Sequence, residues 1–391
     1  MRKTAFGWKQ TTAGAAAAAL VMGGAFMGVA DASPAEPRQG EGVPQHVFYI
    51  MMENHGKSQI IGNTADAPYI NQLATKYNTA SDFHGVTHPS LPNYLSAFSG
   101  SFQGIWDDCK AGATVTCPPE EFVPGSGDAT DGASLTPAQV ASASKTPHMF
   151  SGRNLVDQLE AKGRTWKAYM QSMPQAGFEG EYAPGNVNGT TVKLYAQKHN
   201  PFMYFSDINS PGNPRLKQVV PLEKNFDADL ASGTVPDFSW ISPDQCHDMH
   251  GISPSAAAIV GLPDCGYPSS GLDHGAIRLG DQFLHDTVTK IMNSPTWKAS
   301  NSSIVINWDE NDYSGYSGGP GSPVGAKGAV LGGGDAPLIV INSHSGPHKD
   351  SDVPADHYTV LATLEHMWHL GCLENTCSAR TSGSLRDLFA R

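Results

Sequence analysis

Short, continuous apolar runs recur along this 391-residue chain: HVFYIMM at 46–52, RTWKAYM at 164–170, DFSWIS at 237–242, SSIVINW at 302–308 and PLIVIN at 337–342. A run rich in β-branched and aromatic residues, without apolar–polar alternation, predicts a strand buried on both faces. Between the runs lie stretches of helical character, including APYINQLATKY (67–77), NLVDQLEAKG (154–163), GDQFLHDTVTKIM (280–292) and YTVLATLEHMWHL (358–370). Strands that alternate with helices predict an α/β fold, a three-layer α/β/α sandwich around a mainly parallel central sheet. Two segments depart from the pattern, 110–150, crowded with Gly, Ala, Ser, Thr and Pro, and the Gly-rich 314–336. Neither has the spacing of a phosphate-cradling P-loop, so both read as loops, the second a candidate lid because it follows an acidic cluster. With no internal repeat, residues 45–391 are expected to form one domain with long loop insertions.

The first residues carry a basic front (Arg2, Lys3, Lys9), an Ala-rich apolar stretch from Ala13 to Val29 and the small-x-small triplet Ala30-Asp31-Ala32. This predicts a signal peptide over 1–32, followed by a flexible leader over 33–44. No later run is long enough to span a bilayer, so a secreted, extracellular protein without stable membrane insertion is expected. The formal charge of −12 argues against long-range attraction to nucleic acid or anionic lipid. Any phosphate-bearing partner must then be held by local cations. The six cysteines fall into close couples, Cys109 with Cys117, Cys246 with Cys265 and Cys372 with Cys377, which suits disulfides in an oxidising compartment. No C-x-x-C couple is present, which argues against a cysteine-based metal site.

Ligands of open α/β sheets bind outside the carboxyl ends of the strands, which directs attention to polar residues just after apolar runs. The first run ends in Glu53-Asn54-His55; DFSWIS leads into Asp244, His247, Asp248 and His250; SSIVINW ends in Asp309-Glu310-Asn311-Asp312; Asp356-His357-Tyr358 introduces the last helix. Each cluster alone also reads as a helix cap or a solvated acidic turn. Together they place several carboxylates at one edge of one sheet, where they repel unless a cation sits among them. Glu, Asn, Asp and His donors suit a divalent metal ion: calcium, magnesium or manganese, or zinc where a histidine joins.

In VTHPSLPNYLSAFSGS (86–101) a serine stands between two prolines. Each proline holds its own φ and pushes the preceding residue out of the helical region, so the backbone aims Ser90 in one direction. A Pro-rich turn before a helix starting near Asn93 is the plainer account. A metal near Ser90 would make it a nucleophile suited to phosphorus. Asn93, one helical turn on, would hydrogen-bond a nonbridging phosphoryl oxygen, and a histidine would protonate the departing oxygen.

The segments MMENHGKSQIIGN (51–63), THPSLPNYLSAFSGS (87–101), YAQKHNPF (195–202), DMH (248–250), HGAIRLGDQFL (274–284), VINWDEND (305–312) and DHYTVLATLEHMWHL (356–370) resemble, in this order, the bacterial phosphoesterase family of phospholipases C and acid phosphatases. That family is related to the alkaline phosphatase superfamily, and the likeness is to its secreted acid phosphatases, the phosphatidylinositol-3-phosphatase type included. The resemblance implies an alkaline-phosphatase-like fold and metal-dependent hydrolysis of phosphate monoesters through a phosphoserine at Ser90. It implies that Glu53, Asn54, Asp309 and Glu310 hold the metal. His250 and His357 would line the phosphate pocket as acids or donors, Asp248 would orient them, Lys198 and His199 would be local cations for the substrate phosphate, and His88 would support the nucleophile turn. The implied partner is a phosphate-ester small molecule or a phospholipid headgroup. This chain departs from the pattern between Gly251 and Asp273, an insertion carrying Cys265 that bears on substrate choice. Two other readings stand beside this one: a phospholipase C or other phosphodiesterase using the same residues, and a secreted binding protein that has lost activity. A sulfatase is disfavoured, since no C-x-P-x-R motif is present.

Overall fold

A computed structural model describes residues 43–126, 133–378 and 384–390, so the expected signal peptide and most of the leader lie outside the described residues. Ten strands are present among them: β1 (His46–Met52), β2 (Asn78–Ala80), β3 (Trp166–Met170), β4 (Tyr182–Val187), β5 (Thr190–Ala196), β6 (Val219–Pro221), β7 (Phe238–Ser242), β8 (Ser302–Trp308), β9 (Leu338–Asn342) and β10 (Asp350–Ser351). Eight form one sheet in the order β10-β2-β9-β8-β1-β7-β3-β6, and β4 and β5 form a separate antiparallel hairpin. From β8 through β6 every pairing is parallel, and β9 is antiparallel to both its neighbours. The expected mainly parallel sheet is thus observed, and the five apolar runs are β1, β3, β7, β8 and β9.

Alternation along β1 shows why the sheet needs helices on both faces. Phe48 meets Phe226 of the helix Leu222–Ser232, with ring centroids 6.3 Å apart, whereas Tyr49 stacks at 4.9 Å on Trp240. Trp240 in turn meets Tyr94 and Phe98 of the helix Ser90–Ser99. Consecutive strand residues point to opposite faces, so these two helices lie on opposite sides of the sheet and the three-layer arrangement follows. All seven residues of β8 are buried, as are all but the first of β1. Burying each large side chain here contributes about 1.5–3 kcal/mol.

The short strands β2, β6 and β10 and the β4–β5 hairpin carry too few apolar residues to announce themselves in sequence. Helix boundaries also differ from expectation. The helix expected over 280–292 begins earlier, His274–Asn293, because Asp273 accepts the Ala276 N–H at its N-terminus. The last helix stops at Met367, and the helix expected near Asn93 begins at Ser90 itself, behind Pro89. Three disulfides join Cys109 to Cys117, Cys246 to Cys265 and Cys372 to Cys377, the couples that sequence proximity predicted. Among the described residues no helix is long and apolar enough to cross a membrane.

Candidate active site

The adjacent central strands β1 and β8 run parallel and end together, so Glu53 and Asp309 emerge side by side. Asp309 Oδ1 accepts the Asn54 N–H at 3.0 Å, and Asn54 sits at φ 61°, a left-handed conformation asparagine tolerates. The loop that carries Ser90 is brought over this edge by a close approach at Gly85. A Cβ there would stand 2.7 Å from the Asp309 carbonyl oxygen and 3.0 Å from Gly333 Cα, so a side chain would force the loop away.

Ser90, the first residue of a fully buried helix, donates its hydroxyl to Glu53 Oε2 at 2.9 Å. Its oxygen also lies 3.3 Å from the Lys198 ammonium. Lys198 Nζ donates to Asp108 Oδ2 at 2.7 Å and lies 3.3 Å from His250 Nε2. Asp108 ties this group to the helix as well, accepting the Leu91 N–H at 3.0 Å. Burial pulls the Lys198 ammonium down, but Asp108 and Glu53 together outweigh it and hold the group above its ordinary value. Lys198 is therefore a fixed cation beside the serine.

His199 stands between two carboxylates, Nε2 3.0 Å from Glu53 Oε1 and Nδ1 3.1 Å from Asp248 Oδ2, with its ring stacked on Tyr94. Burial, then the neighbouring Lys198, push it well below its ordinary value, so it is neutral. A neutral imidazole adds no cation for a substrate phosphate, which sets it apart from the expectation for this residue. Asp248 Oδ1 accepts the backbone N–H of His250 at 2.7 Å, which ties down the loop that carries this histidine. His250 Nδ1 lies 2.9 Å from the Gly251 carbonyl and 2.9 Å from the Tyr267 hydroxyl. The carbonyl only accepts, so Nδ1 carries the proton and Nε2 is left to accept from Lys198. Burial, then Lys198, bring His250 down to about 3. In this arrangement His250 is an acceptor that aims Lys198, not a proton donor.

Two expected pocket residues lie behind the site. Asn93 is committed internally: Oδ1 accepts the Val86 and Thr87 N–H groups, and Nδ2 donates to the Thr87 and Pro89 carbonyls and to Glu310 Oε2 at 3.1 Å. It pins the turn that precedes Ser90. His357 is fully buried, with Nε2 2.7 Å from the Asp309 carbonyl and Nδ1 3.4 Å from the Asn307 amide, and burial brings it down to about 4. It supports the end of β8 and does not face the cleft. His88 Nδ1 lies 2.8 Å from Glu310 Oε2 and its ring stacks on Tyr313 at 4.2 Å, two residues before Ser90.

Glu53, Asp248, Asp309 and Glu310 are all buried and all held well above the usual carboxylate range, first by burial and then by one another: Asp309 raises Glu53, Glu310 raises Asp309, and Glu53 raises both Asp248 and Glu310. Asn54 Oδ1 and Asp309 Oδ2 are buried without a hydrogen bond, and Glu53 Oε1 has only the His199 ring nitrogen nearby, at 3.0 Å and without hydrogen-bond geometry. Unpaired buried oxygens are costly, and three hard donors at one strand edge suit a divalent cation. Glu310 fits less directly, since its Oε2 is engaged by Asn93 and His88. Among the described residues only Asp107, Cys109 and Cys117 bring three ligand atoms of His, Cys, Asp or Glu within 4.8 Å of one another, so Glu53, Asp309 and Glu310 do not close on one point. Those two cysteines are joined in a disulfide and offer no thiolate.

A cleft of about 280 Å³ opens above Lys198 and His250, lined also by Asp108, Glu120, Glu181, Tyr182, Lys193 and Tyr267. Asp108 and Tyr267 escaped sequence reasoning. Asp108 follows no apolar run and precedes a disulfide cysteine, and Tyr267 lies in a loop two residues after Cys265; neither has a periodic neighbour that would mark it.

The sequence model of the Phosphoesterase family matches residues 63–261 and 267–371. A phosphatidylinositol-3-phosphatase of Mycobacterium tuberculosis is 25% identical over 326 residues, 83% of this chain and 77% of that protein. A Kluyveromyces lactis protein named "Probable acid phosphatase" is 25% identical over 327 residues, 83% of this chain but 59% of that longer protein. Among solved structures, a protein in the alkaline phosphatase superfamily from Vibrio parahaemolyticus shares 14% identity over 86% of this chain and 71% of its own, with a TM-score of 0.43. With most of its length matched, from residue 63 to residue 371 apart from 262–266, the chain belongs to the Phosphoesterase family of hydrolases that act on phosphate esters.

Proposed function

We propose that this protein is a secreted, metal-dependent phosphomonoesterase of acid phosphatase type that works through a phosphoserine at Ser90. The observation that carries the reading is the setting of Ser90: a buried hydroxyl donating to a carboxylate with a raised proton affinity, beside a fixed ammonium that itself lines an open cleft. Ser90 Oγ forms the bond to phosphorus while the ester P–O bond breaks, and Glu53 Oε2, already its acceptor, takes the hydroxyl proton. The Lys198 ammonium, held by Asp108 and His250, stabilises charge on the phosphoryl and departing oxygens, and the departing oxygen takes a proton from water in the open cleft and leaves as the alcohol. Water then cleaves the phosphoserine, giving inorganic phosphate and restoring the hydroxyl. Glu53, Asn54 and Asp309, with Glu310 beside them, would hold a divalent cation. When bound, the cation supplies Lewis-acid polarisation of the phosphoryl group and offsets the carboxylate charge. Three disulfides fit an oxidising compartment, which supports secretion.

The test is release of phosphate and of alcohol from paired monoester and diester chromogenic substrates, with and without chelator, alongside Ser90→Ala. Chelator-sensitive monoester cleavage that vanishes in the variant is the expected result. Preference for the diester would move the protein to the phosphodiesterase side, and near wild-type turnover by Ser90→Ala would end the nucleophile assignment.

A further inference from the structure

The segment expected as an insertion between Gly251 and Asp273, of which the family model leaves only 262–266 unmatched, reaches back to the site. It leaves at His250, is closed by the Cys246–Cys265 disulfide, and returns at Tyr267. The family match is interrupted at 262–266, the turn that carries Cys265. The Tyr267 hydroxyl lies 2.9 Å from His250 Nδ1, and the ring stands 5.9 Å from the imidazole, yet Tyr267 remains 44% exposed. An aromatic ring held by its polar end, with its face open to a cleft, is a ready contact surface.

What shares the cleft narrows what that surface can receive. Glu120 and Glu181 add carboxylates to the lining of the same cleft, and the Lys193 ammonium is drawn over the Tyr182 ring at 4.3 Å. Carboxylates only accept hydrogen bonds, so they favour a group with several O–H donors and repel one with negative charge. A sugar or polyol offers C–H faces to an aromatic ring and hydroxyls at its edge. A cleft of about 280 Å³ has room for one such ring and not for an acyl chain. An alkyl alcohol would leave the carboxylates without donors.

We propose that Tyr267 is a specificity-determining residue, and that with Glu120 and Glu181 it selects phosphate monoesters whose leaving group is an uncharged polyhydroxylated alcohol such as a sugar. This rests on the reading of Ser90 as the nucleophile of a phosphoesterase. It places the discrimination just after the Cys246–Cys265 loop, outside the strand ends.

The experiment compares kcat and KM for glucose 6-phosphate, ethyl phosphate, fructose 1,6-bisphosphate and phosphatidylcholine vesicles carrying phosphatidylinositol 3-phosphate, in wild type, Tyr267→Ala and Tyr267→Phe. Wild type is expected to favour glucose 6-phosphate. Tyr267→Ala is expected to raise KM for glucose 6-phosphate about tenfold more than for ethyl phosphate, a ratio corresponding to about 1.4 kcal/mol. Tyr267→Phe, which keeps the ring, is expected to retain the preference. A glucose 6-phosphate to ethyl phosphate ratio unmoved in Tyr267→Ala, in an active enzyme with an unchanged melting temperature, would overturn the proposal and leave the phosphoesterase reading intact. So would wild-type preference for the bisphosphate or the vesicles. No turnover of any ester by wild type would instead remove the phosphoesterase reading, and this proposal with it.

Discussion

Lys198→Gln isolates what a fixed cation contributes beside the serine. The ammonium lies 3.3 Å from Ser90 Oγ and is held from two other sides by Asp108 and His250. At 3.3 Å two unit charges interact by about 5 kcal/mol at an effective dielectric of about 20. Part of that acts equally on bound substrate, and the cleft admits water, so the share specific to the transition state is smaller. Preorganised donors aimed at developing charge typically contribute about 2.7–4 kcal/mol, or about 10²–10³ in kcat. We therefore expect Lys198→Gln to lower kcat for p-nitrophenyl phosphate by about 10², with a smaller rise in KM, since a neutral amide of similar length keeps a donor but not the charge. Steady-state kinetics, with circular dichroism and thermal unfolding as folding controls, read both parameters. A folded variant whose kcat stays within about threefold of wild type would refute the role given to Lys198, because a charge that close cannot be silent if phosphorus is attacked at Ser90.

Ser90→Ala should lower turnover by at least about 10³ and abolish the phosphoserine trapped by acid quench, since covalent catalysis loses its nucleophile. The metal-free protein should be less stable at neutral than at mildly acidic pH. Glu53, Asp248, Asp309 and Glu310 are raised in the folded state, so their contribution is complete below the ordinary carboxylate value of about 4 and is lost as pH rises through the folded values. Melting temperatures in chelator that climb steadily from pH 5 to 8 would contradict this. A divalent ion at about 100-fold its Kd should restore about 2.7 kcal/mol at neutral pH, seen as a rise in melting temperature. Replacing Cys246 and Cys265 with Ser, which opens a loop of sequence separation 19, should cost about 3 kcal/mol in denaturant unfolding.

Much of the architecture is legible in one dimension because its signals are local. A strand buried on both faces must be apolar at every position, so β1, β3, β7, β8 and β9 stand out as unbroken runs. Chain ends of such strands are where ligands gather, which was enough to single out Glu53, Asn54, Asp309 and Glu310. Proximity alone matched the cysteine couples, because short loops close with little entropy. The short edge strands and the β4–β5 hairpin carry no such pattern and were missed.

What each polar group does was decided by contacts that the chain order hides. Lys198 meets Ser90 across 108 residues and Asp108 across 90, and Asn93 meets Glu310 across 217. Side-chain type and spacing mark a group as capable of chemistry, but its charge and its free lone pairs depend on who surrounds it once buried. The sequence by itself therefore determined that a serine, carboxylates, histidines and a lysine would converge at one sheet edge. Only the tertiary structure decided that His250 accepts from Lys198, that Asn93 and His357 brace the turn and the strand behind the site, and that Tyr267 faces the cleft, because burial and long-range neighbours set protonation and direction.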